Sequence, residues 1–283
     1  MKILITGANG MLAKEVKEKF EKGNEITLTD VAELDITNEQ AVMDYIINAK
    51  PEYIINCAAY TAVDKAEENY ELADRINGDG PTNLAKAAKA AGAKLVHIST
   101  DYVFGGDLEV SKDYSEDDPK APVTAYGKTK LHGEQGIEAN MEEYYIFRTA
   151  WLYGVGGNNF VKTMTKLGLA KDELNVVADQ HGSPTYAGDL ADIILQALEK
   201  KIPYGIYHTT NLGYTTWYDF TNEIFKIADI SCKVLPVTSD EYKTAAKRPL
   251  NSKLSKEKIL GVGVTIPEWQ GSLKKYLEVE LNK

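Results

Sequence analysis

The chain has 283 residues, 43% of them hydrophobic, a formal net charge of −10, and two cysteines, Cys57 and Cys232. That length supports one large domain or two lobes with a substantial core. The acidic balance disfavours a nucleic-acid groove. The few cysteines argue against a disulfide scaffold and for a reducing, cytoplasmic setting. No run approaches the ~18 apolar residues of a membrane span. No secretory leader is expected, since only Ile3, Leu4 and Ile5 separate Lys2 from Thr6 and Gly7.

Lys2 to Thr6 is apolar and β-branched and reads as a strand. Gly7-Ala8-Asn9-Gly10-Met11-Leu12-Ala13 follows it, a G-x-x-G-x-x-A variant of the dinucleotide fingerprint. A helix is predicted from Met11 to Phe20, with Leu12, Val16 and Phe20 four apart. Gly7 and Gly10 let the backbone turn tightly beside a pyrophosphate, with the helix N-terminus facing the anion. Ala13 allows close helix–strand packing. A second strand, Glu25 to Thr29, ends at Asp30, about 20 residues on, where an acid binds adenosine ribose hydroxyls.

The alternation continues. Glu39 to Ala49 reads as a helix stopped by Pro51, and Tyr53 to Cys57 as a strand. Leu72 to Ala91 holds a long alanine-rich helix, with Pro81 near a turn or first helical position and Gly92 as its stop, and Lys94 to Ser99 reads as a fourth strand. A loop from Asp101 to Val123 leads to a helix over Thr124 to Ala139 and a fifth strand over Glu143 to Thr149. Repeated βα units predict an α/β fold, a Rossmann-like doubly wound parallel sheet. After about residue 150 the rhythm breaks. Residues 1–150 are therefore expected to be an NAD(P)-binding domain. Residues 151–283 are expected to be mainly a smaller substrate-binding lobe, partly interleaved with the first.

Ligands in such a sheet sit beyond the carboxyl ends of the strands. Gly7, Asp30, Ala58 with Ala59, Thr100 and Trp151 follow five successive strands, so they are expected to face one crevice. Tyr126 and Lys130 are four apart on the predicted helix and share a face. An ammonium beside a phenol favours the phenolate and lowers its pKa. A tuned phenol can pass a proton to a substrate oxygen, and Thr100 could place a hydroxyl on the same oxygen. His97 and His181 read as structural, since this chemistry needs no histidine.

The motifs Asn56 to Glu67, Ser99 to Phe104, Tyr126 to Lys130, Arg148 to Trp151, Gly157 to Phe160, Asp179 to Thr185 and Arg248 to Ser252 carry a resemblance over essentially the whole chain. The sequence resembles the extended short-chain dehydrogenase/reductases and, within them, the reductases of dTDP-4-dehydrorhamnose. The glycine motif is shared widely; the second-half motifs are much more specific. The resemblance implies hydride transfer from NADH, with NADPH also accepted, to the C4 carbonyl of a dTDP-sugar. It implies that Thr100 bonds that carbonyl, Tyr126 donates the proton, and Lys130 lowers the Tyr126 pKa and holds the nicotinamide ribose. Implied cofactor contacts are Gly7, Gly10, Met11, Leu12, Asp30, Asp35, Ile36, Ala58, Ala59, Tyr60, Tyr126 and Lys130. Implied substrate contacts are Thr100, Asp101, Tyr102, Tyr126, Trp151, Asn159 and Arg248, the last at the diphosphate, where an Arg fork suits phosphate oxygens.

Plain alternatives stand beside three of these. Trp151 could be core packing, Arg248 a solvated loop cation, and Asp35 a cap for the Glu39 helix or the turn leading into it. Some relatives hold magnesium through glutamates at a dimer contact. Glu15 matches one such position, but Tyr186-Ala187-Gly188-Asp189 lacks the second. No metal is expected here, and a homodimer stays open. Two other functions are compatible with the fold: nucleotide-sugar epimerisation, and a regulatory nucleotide-binding subunit like that of methionine adenosyltransferase. Intact Thr100, Tyr126 and Lys130 favour the reductase.

Overall fold

The computed structural model describes residues 1–281, so residues 282–283 of the expected second lobe lie outside it. The first half runs β1 (Lys2–Thr6), α1 (Met11–Phe20), β2 (Glu25–Thr29), α2 (Glu39–Ala49), β3 (Tyr53–Asn56), α3 (Val63–Ala66), α4 (Tyr70–Asp74), α5 (Gly80–Ala91), β4 (Lys94–Thr100), α6 (Ala125–Asn140) and β5 (Tyr144–Thr149). The second half runs β6 (Leu152–Tyr153), α7 (Phe160–Ala170), β7 (Glu173–Val177), β8 (His181–Gly182), β9 (Thr185–Tyr186), α8 (Ala187–Lys200), β10 (Gly205–His208), β11 (Thr215–Thr216), α9 (Trp217–Ile227), β12 (Lys233–Val237), α10 (Glu257–Gly261) and α11 (Trp269–Leu281).

Six parallel strands form the central sheet, in the order β2-β1-β3-β4-β5-β10. Side chains alternate across each strand. Ile3 and Ile5 of β1 therefore pack on one face against Leu12, Val16 and Phe20 of α1 and Leu190 and Ile194 of α8. Leu4 packs on the other face, in the cluster formed by Val42, Ile46, Leu84, Ala88 and Ile137. Burial of each larger side chain contributes roughly 1.5–3 kcal/mol. With both faces covered, β1, β3, β4 and β5 are mainly apolar at their centres, while the edge strand β2 is partly exposed.

The chain leaves β1 for β2 on one side, then crosses back to β3 on the other. The strand order reverses there, between Gly7 and Cys57, opening the crevice that such sheets use for ligands. After β5 the chain builds a second core around Tyr153, Val161, Phe220, Ile224, Trp269 and Tyr276. It returns to the sheet to add α8 and β10. The second core carries three two-stranded pairs, β7 with β12, β6 with β9 and β8 with β11.

The long helix expected within Leu72–Ala91 is broken. A π-helical turn, Arg75–Asp79, separates α4 from α5. The Asn77 amide accepts from Tyr60 N at 2.9 Å and donates to Tyr60 O at 3.0 Å and Thr129 Oγ1 at 3.1 Å. The widened turn aims that amide at the loop after β3, and π-bulges commonly sit at functional sites. Helical periodicity alone does not show such an insertion. Among the described residues, no helix is long and apolar enough to cross a membrane.

Candidate active site

Three cavities run along the carboxyl ends of the strands. The first, about 440 Å³, is lined by Gly7, Gly10, Asp30, Asp35, Ile36, Ala58, Ala59 and Arg75. The second, about 530 Å³, is lined by Met11, Leu12, Thr100, Asp101, Tyr126 and Lys130. It shares Gly10, Cys57, Ala58 and Ala59 with the first. The third, about 450 Å³, is lined by Asp64, Phe160, Gln180, Trp217 and Arg248, and shares Tyr102 and Trp151 with the second.

The first cavity has the shape that a pyrophosphate cradle needs. Gly7 sits at φ +65°, and a Cβ there would lie 2.6 Å from Ala58 N. Only glycine lets β1 turn into α1 while the loop after β3 stays this close. Asp30 accepts from Asn9 N through one carboxylate oxygen and from Val31 N through the other. Asp35 accepts from Thr37 N at 2.9 Å and Thr37 Oγ1 at 2.8 Å, while Asn38 caps α2. Asp35 thus holds the turn before α2 and also lines the cavity. Tyr60 lines none of the three cavities. Its ring packs with Tyr126 against Ala66, Ala73 and Ala125. The Asn77 anchor fixes the Tyr60 backbone, which directly follows the cavity-lining Ala58 and Ala59, and its ring supports α6.

In the middle cavity the Thr124 hydroxyl caps α6, accepting from Gly127 N at 3.0 Å. A Cβ on Gly127 would meet Tyr102 O at 2.2 Å, so glycine is what lets this helix start against the loop carrying Thr100 and Tyr102. The Thr100 hydroxyl donates to Asp101 Oδ1 at 2.9 Å. Burial, and then the Asp101 charge, raise the Tyr126 pKa above the usual phenol range, while the Thr100 hydroxyl draws it part-way back. The expected lowering by Lys130 is corrected. Lys130 Nζ donates to Ile98 O at 2.6 Å and meets His97 Nε2 at 3.1 Å. Its hydrogen bonds are directed to β4, and it is not among the groups that shift the phenol. Burial lowers Lys130 itself to about 8, with Glu134 and Cys57 pulling the other way. Burial lifts Asp101 to about 6, with bonds from Ser252 and Thr100 offsetting part. Cys57, half-buried against this cavity, is pushed up to about 12 by desolvation.

In the third cavity Trp151 stacks on Trp217, with centroids 3.6 Å apart and planes 14° apart. Its φ of +50° is a left-handed conformation that costs a bulky residue roughly 1–3 kcal/mol. Arg248 donates to Asp64 Oδ2 at 2.5 Å and to Tyr102 Oη at 3.0 Å. Burial pushes the Tyr102 phenol up to about 12, and the guanidinium opposes this. Asn159 is not among the residues lining these cavities. Its side chain caps α7, accepting from Lys162 N at 3.0 Å and donating to Gly154 O and Tyr276 Oη. Its neighbour Asn158 lines the middle cavity instead.

Phe160 and Gln180 lie in the sequence motifs but carried no expected site role there, and Trp217 and Arg75 lie outside those motifs. The first three belong to the irregular second half, where no strand end points at the crevice. Arg75 sits in the π-turn, hidden inside an apparently continuous helix.

Residues 1–281 match the RmlD substrate binding domain. The dTDP-4-dehydrorhamnose reductase of Streptomyces griseus is 42% identical over 278 residues, covering 95% of this chain and 91% of that protein. The crystal structure of a dTDP-4-dehydrorhamnose reductase from Clostridium acetobutylicum is 50% identical, with a TM-score of 0.96 over 99% of this chain and 100% of that one. The Bacillus anthracis dTDP-4-dehydrorhamnose reductase, solved in complex with NADP, is 42% identical, with a TM-score of 0.94 over 98% of this chain and 99% of that one. The chain belongs to the RmlD substrate binding domain family.

Proposed function

We propose that this protein reduces the C4 keto group of dTDP-4-dehydro-β-L-rhamnose to dTDP-β-L-rhamnose with NAD(P)H. The observation that carries this reading is the middle cavity. Thr100 and Tyr126 meet there, between a cavity built for a dinucleotide and one walled by aromatic rings and an arginine. The glycine cradle and Asp30 fit the cofactor's pyrophosphate and adenosine ribose. NAD(P)H supplies hydride to C4 when bound. Tyr126 gives the carbonyl oxygen its proton, and the Thr100 hydroxyl orients that oxygen. A phenol with a raised pKa is held protonated, the form that a proton donor needs. Binding energy from the remote nucleotide positions the keto sugar. Arg248 faces the diphosphate, and Trp151 with Trp217 packs the nucleotide side. Residues 151–283 supply most of this second wall.

Two features bear on the cofactor. Asp30 favours ribose hydroxyls over a 2′-phosphate. Arg75 lines the same cavity and offers a 2′-phosphate a cation. Both NADH and NADPH are therefore substrates in this reading. A cytoplasmic setting suits the two free thiols. Homodimer formation belongs to the same reading and is checked by sedimentation.

The test is loss of reduced-nicotinamide absorbance with dTDP-4-dehydro-β-L-rhamnose generated in situ. Net cofactor oxidation with formation of dTDP-rhamnose is expected. Isomer exchange without net oxidation, or binding without turnover, overturns the proposal.

A further inference from the structure

His97 lies in β4, three residues before Thr100, and is fully buried. Both ring nitrogens have polar neighbours. Nδ1 is 3.0 Å from Asn56 Nδ2, and Nε2 is 3.1 Å from Lys130 Nζ. The orientation of the Asn56 amide is set by a backbone group. Ala58 N–H, which can only donate, reaches Asn56 Oδ1 at 3.1 Å, and the Thr6 hydroxyl donates to the same oxygen at 2.6 Å. The atom facing His97 is therefore the Asn56 amide nitrogen, also only a donor.

This fixes the tautomer. Nδ1 must accept, so the one proton of a neutral imidazole sits on Nε2 and points at Lys130. Burial, and then the Lys130 charge, hold the His97 pKa well below its ordinary value, so the ring is neutral. An N–H aimed at an ammonium sets two donors against each other. The contact is a hydrogen bond only when Nζ carries a lone pair.

We propose, resting on the reductase reading above, that His97 is a positioning residue: with its tautomer locked by Asn56, its Nε2–H stabilises the neutral amine of Lys130. In the reduction, hydride from bound NAD(P)H would form the new C–H bond and the Tyr126 proton the new O–H bond, and the phenolate left behind takes a proton back from solvent. Lys130 lines the same cavity as Tyr126, and His97 biases whether it does so as ammonium or as amine. His97 thus lowers the cost of deprotonating Lys130.

Other groups facing this pair do not supply the same bias. On α6, Glu134 favours the charged lysine, but Ser99 and Arg148 engage its carboxylate. Cys57, at the end of β3, is held as a thiol by burial. Asp101 faces Tyr126 on the far side of the cavity. His97 is thus the neighbour whose hydrogen bond requires the amine.

Nuclear magnetic resonance of the full chain tests this without needing turnover. The nitrogen shifts of His97 should show Nδ1 unprotonated and Nε2 protonated. The side-chain titration of Lys130 should then be compared among wild type, His97→Leu and Asn56→Asp. Leucine removes the donor, and aspartate turns Nδ1 into the protonated nitrogen so that Nε2 accepts from an ammonium. Both variants are expected to raise the Lys130 pKa by about one unit, a tenfold gain in proton affinity. The alkaline limb of kcat should move up with it. A protonated Nδ1 in wild type, or an unmoved Lys130 titration in whichever variant folds, overturns the proposal. Failure of the reductase reading is separate: wild type would then show no cofactor oxidation, while the tautomer and titration still decide the role of His97.

Discussion

Arg248 and Asp64 are joined across the mouth of the third cavity, the guanidinium also reaching the phenol of Tyr102. Asp64 also accepts from Ala246 N at 3.0 Å, so the segment carrying Arg248 is tied at two points to α3. Arg248 is thus held in a fixed place rather than left as a loop cation. Charge-assisted bonds from a pre-positioned guanidinium to phosphate are among the stronger polar contacts. Arg248→Ala should weaken dTDP-rhamnose binding by about 1.5–3 kcal/mol. NADH affinity should change little, since Arg248 is absent from the dinucleotide cavity. Titration of the variant with each ligand checks this, and an equal loss for both would remove Arg248 from the substrate wall.

Tyr126→Phe should lower turnover by ~10²–10⁴-fold, the range for a positioned general acid. Cofactor binding should survive, because the glycine cradle and Asp30 are untouched. Turnover above about a third of wild type, with chemistry shown to be rate-limiting, would assign the proton to another group.

Cofactor choice depends on two opposed groups. NADH should be used at least as well as NADPH, because Asp30 repels a 2′-phosphate. Arg75→Ala should lower kcat/KM for NADPH by roughly five- to tenfold, about 1 kcal/mol for an exposed ion pair, and leave NADH nearly unchanged. Steady-state kinetics with both cofactors decides it. Equal losses would place Arg75 outside the 2′-phosphate site.

Asp101 provides a stability test with a defined sign. Its folded-state pKa is raised to about 6 from 3.8. Below the lower value the carboxyl is protonated whether folded or unfolded, and folding has no charge to bury. As pH rises toward the higher value the unfolded chain releases the proton first, so stability is lost. Asp101→Asn should therefore gain stability relative to wild type as pH goes from about 4 to about 6, levelling at roughly 1–3 kcal/mol. Denaturant melts of both proteins across that range measure it. A difference that stays flat with pH would show that the Asp101 ionisation is not coupled to folding.

Much of this protein is determined locally, and for that reason it is legible in the linear sequence. A strand buried on both faces is mainly apolar, so β1, β3, β4 and β5 stand out. A pyrophosphate turn has to use glycine where φ is positive, so Gly7 stands out. Tyr126 and Lys130 share a helix face through spacing alone. Tertiary structure decided the rest, because those outcomes depend on which distant side chains arrive at one point. That Asn159 bonds to Tyr276 and caps the start of α7 is visible only in the fold. Trp151 and Trp217 are far apart in sequence and share one wall only through the tertiary fold, which stacks their rings. The state of Lys130 follows from burial and from His97, whose proton is positioned by Asn56 and, through it, by Thr6 and Ala58. Periodicity reports which face of an element is buried. It does not report the partner that a buried polar group finds there, and that partner sets its protonation.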